Sequence, residues 1–377
     1  MAGIYINIDG SRSPVADTSS KSRPGIALSN ALCKELSFYA PTHGLNETIE
    51  AIHIGGHPEI VREEGIRAIA GTLFSSFDAL NVQEFSIDIT PSTLDLNALQ
   101  GLVALGINMV NIRAGSFFES DLDTLGLTHS PEDILATIEQ CKRVGIRKIS
   151  IELNIGIENQ PPEYWAANME KAIGLDIQHV SIKGMSIFNQ DTPTDQLASC
   201  FSFPAESEDQ VTKFSFASHY LLNAGFEHYV LSGFAKNEHR SKLRELQLFH
   251  GNVLGIGPEA HSFWWVNGSQ ASRWSNVDNI AYYQALLNQQ ELPVDARSML
   301  DLDTLANEYI FLRIQHAEGL DLLRLESEYG LDLLTERIEE LAWLESEGYI
   351  EPIRNNRVRL SQYGKIHSRN VFTRILV

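Results

Sequence analysis

Cysteine is scarce in this 377-residue chain: Cys33, Cys141 and Cys200 are the whole complement, odd in number and far apart. That spacing offers neither a disulfide framework nor a CxxC-type metal site, and Cys33 and Cys141 fall in helix-like runs, where a buried, inert thiol is expected. Basic charge is short as well. With 29 Lys and Arg against 49 Asp and Glu, the formal charge is −20. This argues against a nonspecific grip on nucleic acid or on an anionic membrane surface, since both rely on surplus basic residues. No apolar run approaches the roughly 18–20 residues needed to span a bilayer, and no secretory leader pattern is present, so a cytoplasmic protein is expected. What is present is a 43% hydrophobic composition, ordinary for a packed core, in a chain long enough for one large body and a small second domain.

Short apolar runs bounded by turn residues recur at 3–8, 50–54, 83–89, 108–113, 147–155 and 178–183, each followed by helical spacing. Strand followed by helix, repeated, predicts parallel strands with right-handed crossovers: an α/β fold, read as a partial (βα)6 TIM-like barrel. A helix over 131–144 opens with Ser130 as N-cap and acids in its first turn, and stops before Gly145. After residue 205 the pattern changes to a helix (208–223), a strand-like 228–235 and LGIGPEAHSFWW (254–265), read as a segment covering one mouth of the barrel. The run 289–300 reads as a linker. The chain thus divides into a barrel with its extension (1–290), a linker (291–302) and a C-terminal domain (303–377) of three helices, a hairpin and a last helix, a winged-helix outline. Its basic residues Arg354, Arg357, Arg359, Lys365, Arg369 and Arg374 sit in a strongly acidic protein, so a lid or protein-docking module is expected rather than a nucleic-acid reader.

Alternate strand residues face the inside of a parallel barrel, and the carboxyl ends of its strands form the working face. Period two places Asn7, Asp9, His53, Ser86, Asp88, Asn111, Arg113, Ser150, Glu152, Asn154, Ser181 and Lys183 inward. Ionisable groups are costly to bury unpaired, so this polar interior predicts a ligand pocket, with Asp88 paired to Arg113 and Glu152 to Lys183. In an enzyme, Asp88 or Glu152 would serve as general base and Arg113 or Lys183 as electrophilic clamp. His53, with His57 and Asp9, Asp88 or Glu152, is a candidate divalent-metal site. The Gly55-Gly56 turn is a candidate backbone cradle for a carboxylate or phosphate.

Several of these segments match, in order, the motifs of one family. IYINIDGSRSPVADT (4–18) and GGHP (55–58) resemble the YIHIP strand, CxxxCxxC loop and GGGTP turn of the radical S-adenosylmethionine (SAM) family of oxygen-independent coproporphyrinogen III oxidase and heme chaperone HemW. The likeness continues through IDITPST (87–93), RAGSF (113–117), GLTHS (126–130), IELNIGIENQ (151–160), FNQDTP (188–193), LGIGPEAHS (254–262) and GLDLLRLESEYG (319–330). It implies the partial barrel and C-terminal domain of that family, with Gly55, Gly56, His57, Asp88 and Glu152 at the SAM-pocket positions. The family's [4Fe–4S] ligands fall on Ser11, Val15 and Thr18, so no such cluster is expected and reductive SAM cleavage has no home. SAM itself would meet altered contacts, Gly115 and Arg113 among them. The family's heme-associated HNxxYW is replaced by LRELQL (243–248), with His239 and His250 nearby as candidate axial ligands. The expected protein is a radical-SAM-like pseudoenzyme binding a small molecule or tetrapyrrole, heme included; the alternative is a non-radical enzyme built on the rewritten cavity.

Overall fold

The computed structural model describes residues 1–8, 24–44, 47–184, 207–236 and 239–376. Asp9, the cluster-ligand positions Ser11, Val15 and Thr18, Cys200 and the segment 188–193 lie outside the described residues.

Six strands appear where the apolar runs predicted them: β1 (Ala2–Ile8), β2 (Ile49–Gly56), β3 (Glu84–Ile89), β4 (Met109–Gly115), β5 (Lys148–Asn154) and β6 (His179–Lys183). They pair in parallel in sequence order. Their outer face is almost entirely β-branched: Ile4, Ile6, Ile8, Ile52, Ile54, Ile87, Ile112, Ile151, Val180 and Ile182 are fully buried beneath the crossover helices. Side chains of this kind pack well on a pleated surface and contribute about 1.5–3 kcal/mol each when fully buried. The helices begin where local chemistry says they should. Pro131–Arg143 starts on a capping box in which Ser130 Oγ accepts from the Asp133 N–H at 3.1 Å and Asp133 accepts from the Ser130 N–H at 2.9 Å.

Four further strands extend the sheet to one side and two to the other, giving the order β12-β11-β10-β9-β1-β2-β3-β4-β5-β6-β8-β7. β7 (Glu227–Val230) and β8 (Gly233–Ala235) form a hairpin antiparallel to β6. Two sequence expectations change here. The segment 254–265 is more than a cover over the mouth: it contributes to β9 (Asn252–Ile256), a seventh parallel strand beside β1, and to β10 (His261–Asn267), which turns back antiparallel, while Glu259, His261, Ser262 and Phe263 border the space inside the barrel. Gly255 permits the reversal, since a Cβ there would lie 2.3 Å from the His261 carbonyl oxygen; the glycines that make the strand possible also mask it in a hydrophobic reading. The presumed linker contains β12 (Val294–Leu300), an edge strand paired with β11 (Gln270–Asn276). Its side chains are mostly exposed, so its pattern carried no apolar signal.

The C-terminal region is helical (Leu302–Ile314, Leu322–Tyr329, Leu333–Glu336, Ile338–Ser346, Gln362–Ile366 and Ser368–Ile375). A short pair, Leu320–Asp321 with Arg357–Val358, ties the wing-like turn at Asn355-Asn356 to it. Its core runs into the barrel, because Tyr229, Val230, Leu231, Phe263 and Ala271 pack with Leu305, Tyr309, Leu325 and Phe372.

Candidate active site: a charged cavity inside the barrel

The inner face of the parallel sheet lines a cavity of about 690 Å³, within the roughly 300–1,000 Å³ common for small-molecule sites. Period two places the polar residues there as expected: Asn7, His53, Ser86, Asp88, Asn111, Arg113, Ser150, Glu152, Ser181 and Lys183 all border it. Asn154, at the end of β5, is not among the lining residues. Sequence reasoning missed Glu84, His179, Tyr229, Arg244 and Gln247. Glu84 and His179 follow the same alternation one step earlier on their strands; the other three come from segments whose position only the tertiary fold sets.

At the carboxyl ends of the strands the partners differ from those expected. Asp88 does not pair with Arg113. It takes His53 Nε2 at 3.3 Å, the Asn111 amide at 2.9 Å and the Gly56 N–H at 3.3 Å. Arg113 instead donates to the Gly56 carbonyl at 2.9 Å, with His57 Nε2 at 3.4 Å. Only the second expected pair forms, and loosely, with Lys183 Nζ 3.8 Å from Glu152. Gly56, at φ +82°, therefore has both backbone groups engaged inside the protein, and the His57 N–H goes to the Ile8 carbonyl at 2.8 Å. The turn is a fixed corner rather than an open anion cradle. Gly55 has a different task, since Tyr5 lies where its Cβ would be, at 2.7 Å, and Tyr5 stacks on the His53 ring.

His53 also touches Ser86 Oγ through Nδ1 at 2.9 Å, while Ser86 donates to Glu84 at 3.1 Å. With its proton directed to Glu84, Ser86 accepts from His53 Nδ1–H, so His53 donates on both sides as an imidazolium. Burial alone would depress the His53 pKa, but the charge and hydrogen bond of Asp88, aided by Glu84, raise it above the ordinary histidine value. Burial opposes ionisation of Asp88 in turn, yet His53, Asn111 and Arg113 hold its pKa below the usual carboxylate value. A second chain runs from Ser150 through His179 Nδ1 (2.9 Å) and His179 Nε2 to Tyr229 Oη (2.9 Å). Here burial without a carboxylate lowers the His179 pKa to about 4, so this imidazole is neutral.

Both chains end on one helix, Lys242–Leu248, which closes the cavity at the amino ends of the strands. Glu84 accepts from Ser241 Oγ at 3.1 Å and from the Lys242 N–H at 2.7 Å, and Tyr229 Oη accepts from the Ser241 N–H at 3.2 Å. Leu243 and Leu246 press on β1, where a Cβ on Gly3 would meet Leu243 at 2.5 Å. This helix covers the run LRELQL.

Neither imidazole proposed for a metal faces the other. His57 Nδ1 contacts Glu59 at 3.1 Å and both nitrogens of His53 are bonded; among the described residues no three His, Cys, Asp or Glu converge into a metal-binding group. The described cysteines do not fit a cluster either. Cys141 is fully buried, its thiol pushed up to about 12 by burial, and Cys33 lies on the Pro24–Tyr39 helix. His250, a candidate heme ligand, is buried among Phe263, Tyr309 and Tyr329, with Nδ1 2.9 Å from Tyr329 Oη and Nε2 3.5 Å from Glu308. It also borders the cavity. His239 does not border the cavity.

A parallel partial barrel carrying antiparallel extensions and a helical C-terminal domain defines a class, the radical-SAM-type α/β barrel proteins. The fold matches the solved structure of coproporphyrinogen III oxidase (HemN) from Escherichia coli, titled a radical SAM enzyme, with a TM-score of 0.78 and 18% identity, over 100% of this chain and 90% of that one. In sequence the chain is similar, at low identity, to proteins named heme chaperone HemW. It is 21% identical over 319 residues to heme chaperone HemW of Bacillus subtilis, covering 84% of this chain and 83% of the relative. It is 20% identical over 336 residues to heme chaperone HemW of Lactococcus lactis, covering 88% and 86%. The mitochondrial radical S-adenosyl methionine domain-containing protein 1 of Bos taurus is 24% identical over 235 residues, 62% of this chain and 53% of the relative. No protein-family model matches the chain.

Proposed function

We propose that this chain is a HemW-like, coproporphyrinogen oxidase-like protein without a [4Fe–4S] cluster or radical chemistry: a cytoplasmic pseudoenzyme that binds a small acidic molecule of the tetrapyrrole class in the barrel cavity. The observation that carries this reading is the sequence itself, which has no CxxxCxxC anywhere, set beside a cavity that remains roomy and walled with charge. A cluster with an open iron needs three thiolates close together. A pocket left without use would not be expected to keep costly ionisable groups at so many inward positions. The relatives named for heme and coproporphyrinogen supply the ligand class. The imidazoles of His53 and His179 have both nitrogens bonded, so neither is open as an axial ligand.

Titration of the purified protein with heme and with metal-free mesoporphyrin, followed by Soret absorption, tests the binding. A saturable shift with either ligand supports it, and no shift with both removes it. Incubation of the reconstituted protein with SAM and a reductant is expected to yield no 5′-deoxyadenosine; a stoichiometric cluster with SAM cleavage would overturn the pseudoenzyme reading.

The ion pair of Asp88 with a protonated His53 favours a second reading, an acid–base enzyme with Asp88, Arg113, Glu152 and Lys183 around the reacting group. Loss of turnover in both Asp88→Asn and Glu152→Gln, once a substrate is found, would support it.

A further inference from the structure

Among the described residues, the charges at and around the closed end of the cavity are matched to partners, with Arg244 as an exception. Glu84 accepts from Ser86, Ser241 and the Lys242 N–H. Glu245 is held by Arg240, Lys242 and His316, and Arg273 is paired with Glu308. Arg244 borders the cavity from the Lys242–Leu248 helix, yet among the described residues its guanidinium has no ion pair or hydrogen bond. Gln247 lies one turn further along and borders the same cavity, and its side-chain amide is likewise without a partner among the described residues. Residues three apart share a helix face, so a free guanidinium fork and a free amide donor stand side by side.

Arg244 has not escaped to solvent: burial holds its pKa below the ordinary arginine value, with the nearby Tyr229 opposing this. Its backbone is fixed too. Ser241 caps the helix through the Arg244 N–H at 3.3 Å, and Glu84 holds the helix start. An unpaired cation kept on a rigid support inside a cavity is costly to a protein that merely folds, and the planar fork of a guanidinium fits a carboxylate through two parallel hydrogen bonds.

We propose that the closed end of the barrel cavity is an anion subsite, in which Arg244 and Gln247 take a carboxylate of the bound ligand. The opposite end carries Arg113 and Lys183, so the cavity suits an elongated organic acid with an anionic group at its deep end and a second near its mouth. This rests on the reading that the cavity holds a ligand, but it makes a separate claim about which group of the ligand lies at the closed end.

The test compares mesoporphyrin IX, a dicarboxylic acid, with its dimethyl ester, in the full-length wild type and in Arg244→Met, Arg244→Lys and Gln247→Ala. The free acid is expected to bind Arg244→Met about tenfold or more weakly than wild type, with partial recovery in Arg244→Lys and a smaller loss in Gln247→Ala. The ester is expected to bind all four alike and weakly. Without ligand, Arg244→Met is expected to melt at or above the wild-type temperature, because it removes an unpaired charge. Equal affinity of the free acid for wild type and Arg244→Met would overturn the subsite while leaving cavity binding intact. A lower melting temperature without ligand would mark Arg244 as structural instead. If neither porphyrin binds wild type, the tetrapyrrole reading fails and glutarate decides the subsite: a rise in melting temperature with millimolar glutarate, absent in Arg244→Met or Arg244→Lys, supports it, and no rise in wild type overturns it.

Discussion

Two polar clusters meet at the cavity, since Arg273 and His250 of the first also border it, and they are built differently. At the junction of the barrel with the C-terminal domain, Arg273 clamps Glu308 with both guanidinium nitrogens while His250 and Tyr329 stack beside them. Glu308 is completely buried, and its partners fit it without leaving room. Burial alone would raise the Glu308 pKa, but His250 and Arg273 bring it down to about 2. In the cavity, by contrast, the charges are spaced, partly exposed and incompletely matched: Lys183 stands 3.8 Å from Glu152, Arg113 rests on a carbonyl, and Arg244 has no partner among the described residues. A closed pair holds two layers together. An open, rigid set of charges leaves interactions for a ligand to complete.

Breaking the junction should have the largest effect. Glu308→Ala leaves Arg273 buried without its counter-charge and should cost about 3–5 kcal/mol, read as a lower urea midpoint. A loss below about 1 kcal/mol would show that the junction is no tighter than a surface pair. Next comes the cavity floor. Glu84→Ala strips the acceptor from Ser86, Ser241 and the Lys242 N–H and should cost about 1–3 kcal/mol, with faster amide exchange over 242–248. Unchanged exchange there would mean that the helix is held by Leu243 and Leu246 alone.

Glu35 sharpens the comparison as a third kind of cluster. It is fully buried, accepting from Tyr283, Asn276 and the Gly257 N–H, with no ion pair to a cation among the described residues. Burial therefore wins over these hydrogen bonds, and its pKa rises to about 7. A carboxyl raised in the folded state contributes stability that is fully present below its unfolded value, about 4.5, and lost as pH climbs through about 7. Glu308 has the opposite sign: its contribution is present above about 4.5 and lost as pH falls toward 2. Glu35→Gln should flatten the decline of melting temperature between pH 4.5 and 7; an unaltered slope would place that titration elsewhere. The smallest effect on stability is expected from Lys183→Met, whose ion pair is long and half-exposed, worth about 0–1 kcal/mol. The same change should weaken binding of mesoporphyrin, and a variant that lost stability but kept affinity would reverse the roles assigned to the two clusters.

The parallel strands were legible because each one alternates, Ile outward and Asn, Ser, Asp or Lys inward, and alternation survives any tertiary arrangement. The capping box at Ser130 was legible for a similar reason, its partners being three residues apart. β9 and β12 were not: one is broken by glycine and the other is an exposed edge, so neither bears the apolar signature of a strand. At the site, strand period two brought Asp88, Arg113, Glu152 and Lys183 to one cavity, as expected. It could not choose partners, because whether Asp88 meets Arg113 or His53 depends on strand register and side-chain reach. Arg244 was out of reach altogether, since in LRELQL it reads as one more charge on a short helix.

The sequence by itself determined the α/β barrel, the family resemblance, the polar inner face and the missing CxxxCxxC, since each is local pattern or residue identity. Only the tertiary structure decided that Gly56 is locked by Asp88 and Arg113, that His250 lies buried among aromatic rings, and that helix Lys242–Leu248 closes the barrel with Arg244 inside it. Those outcomes turn on angstrom-scale distances between segments up to some two hundred residues apart, and the hydrogen bonds and ion pairs that set them act only once the chain has brought those segments into contact.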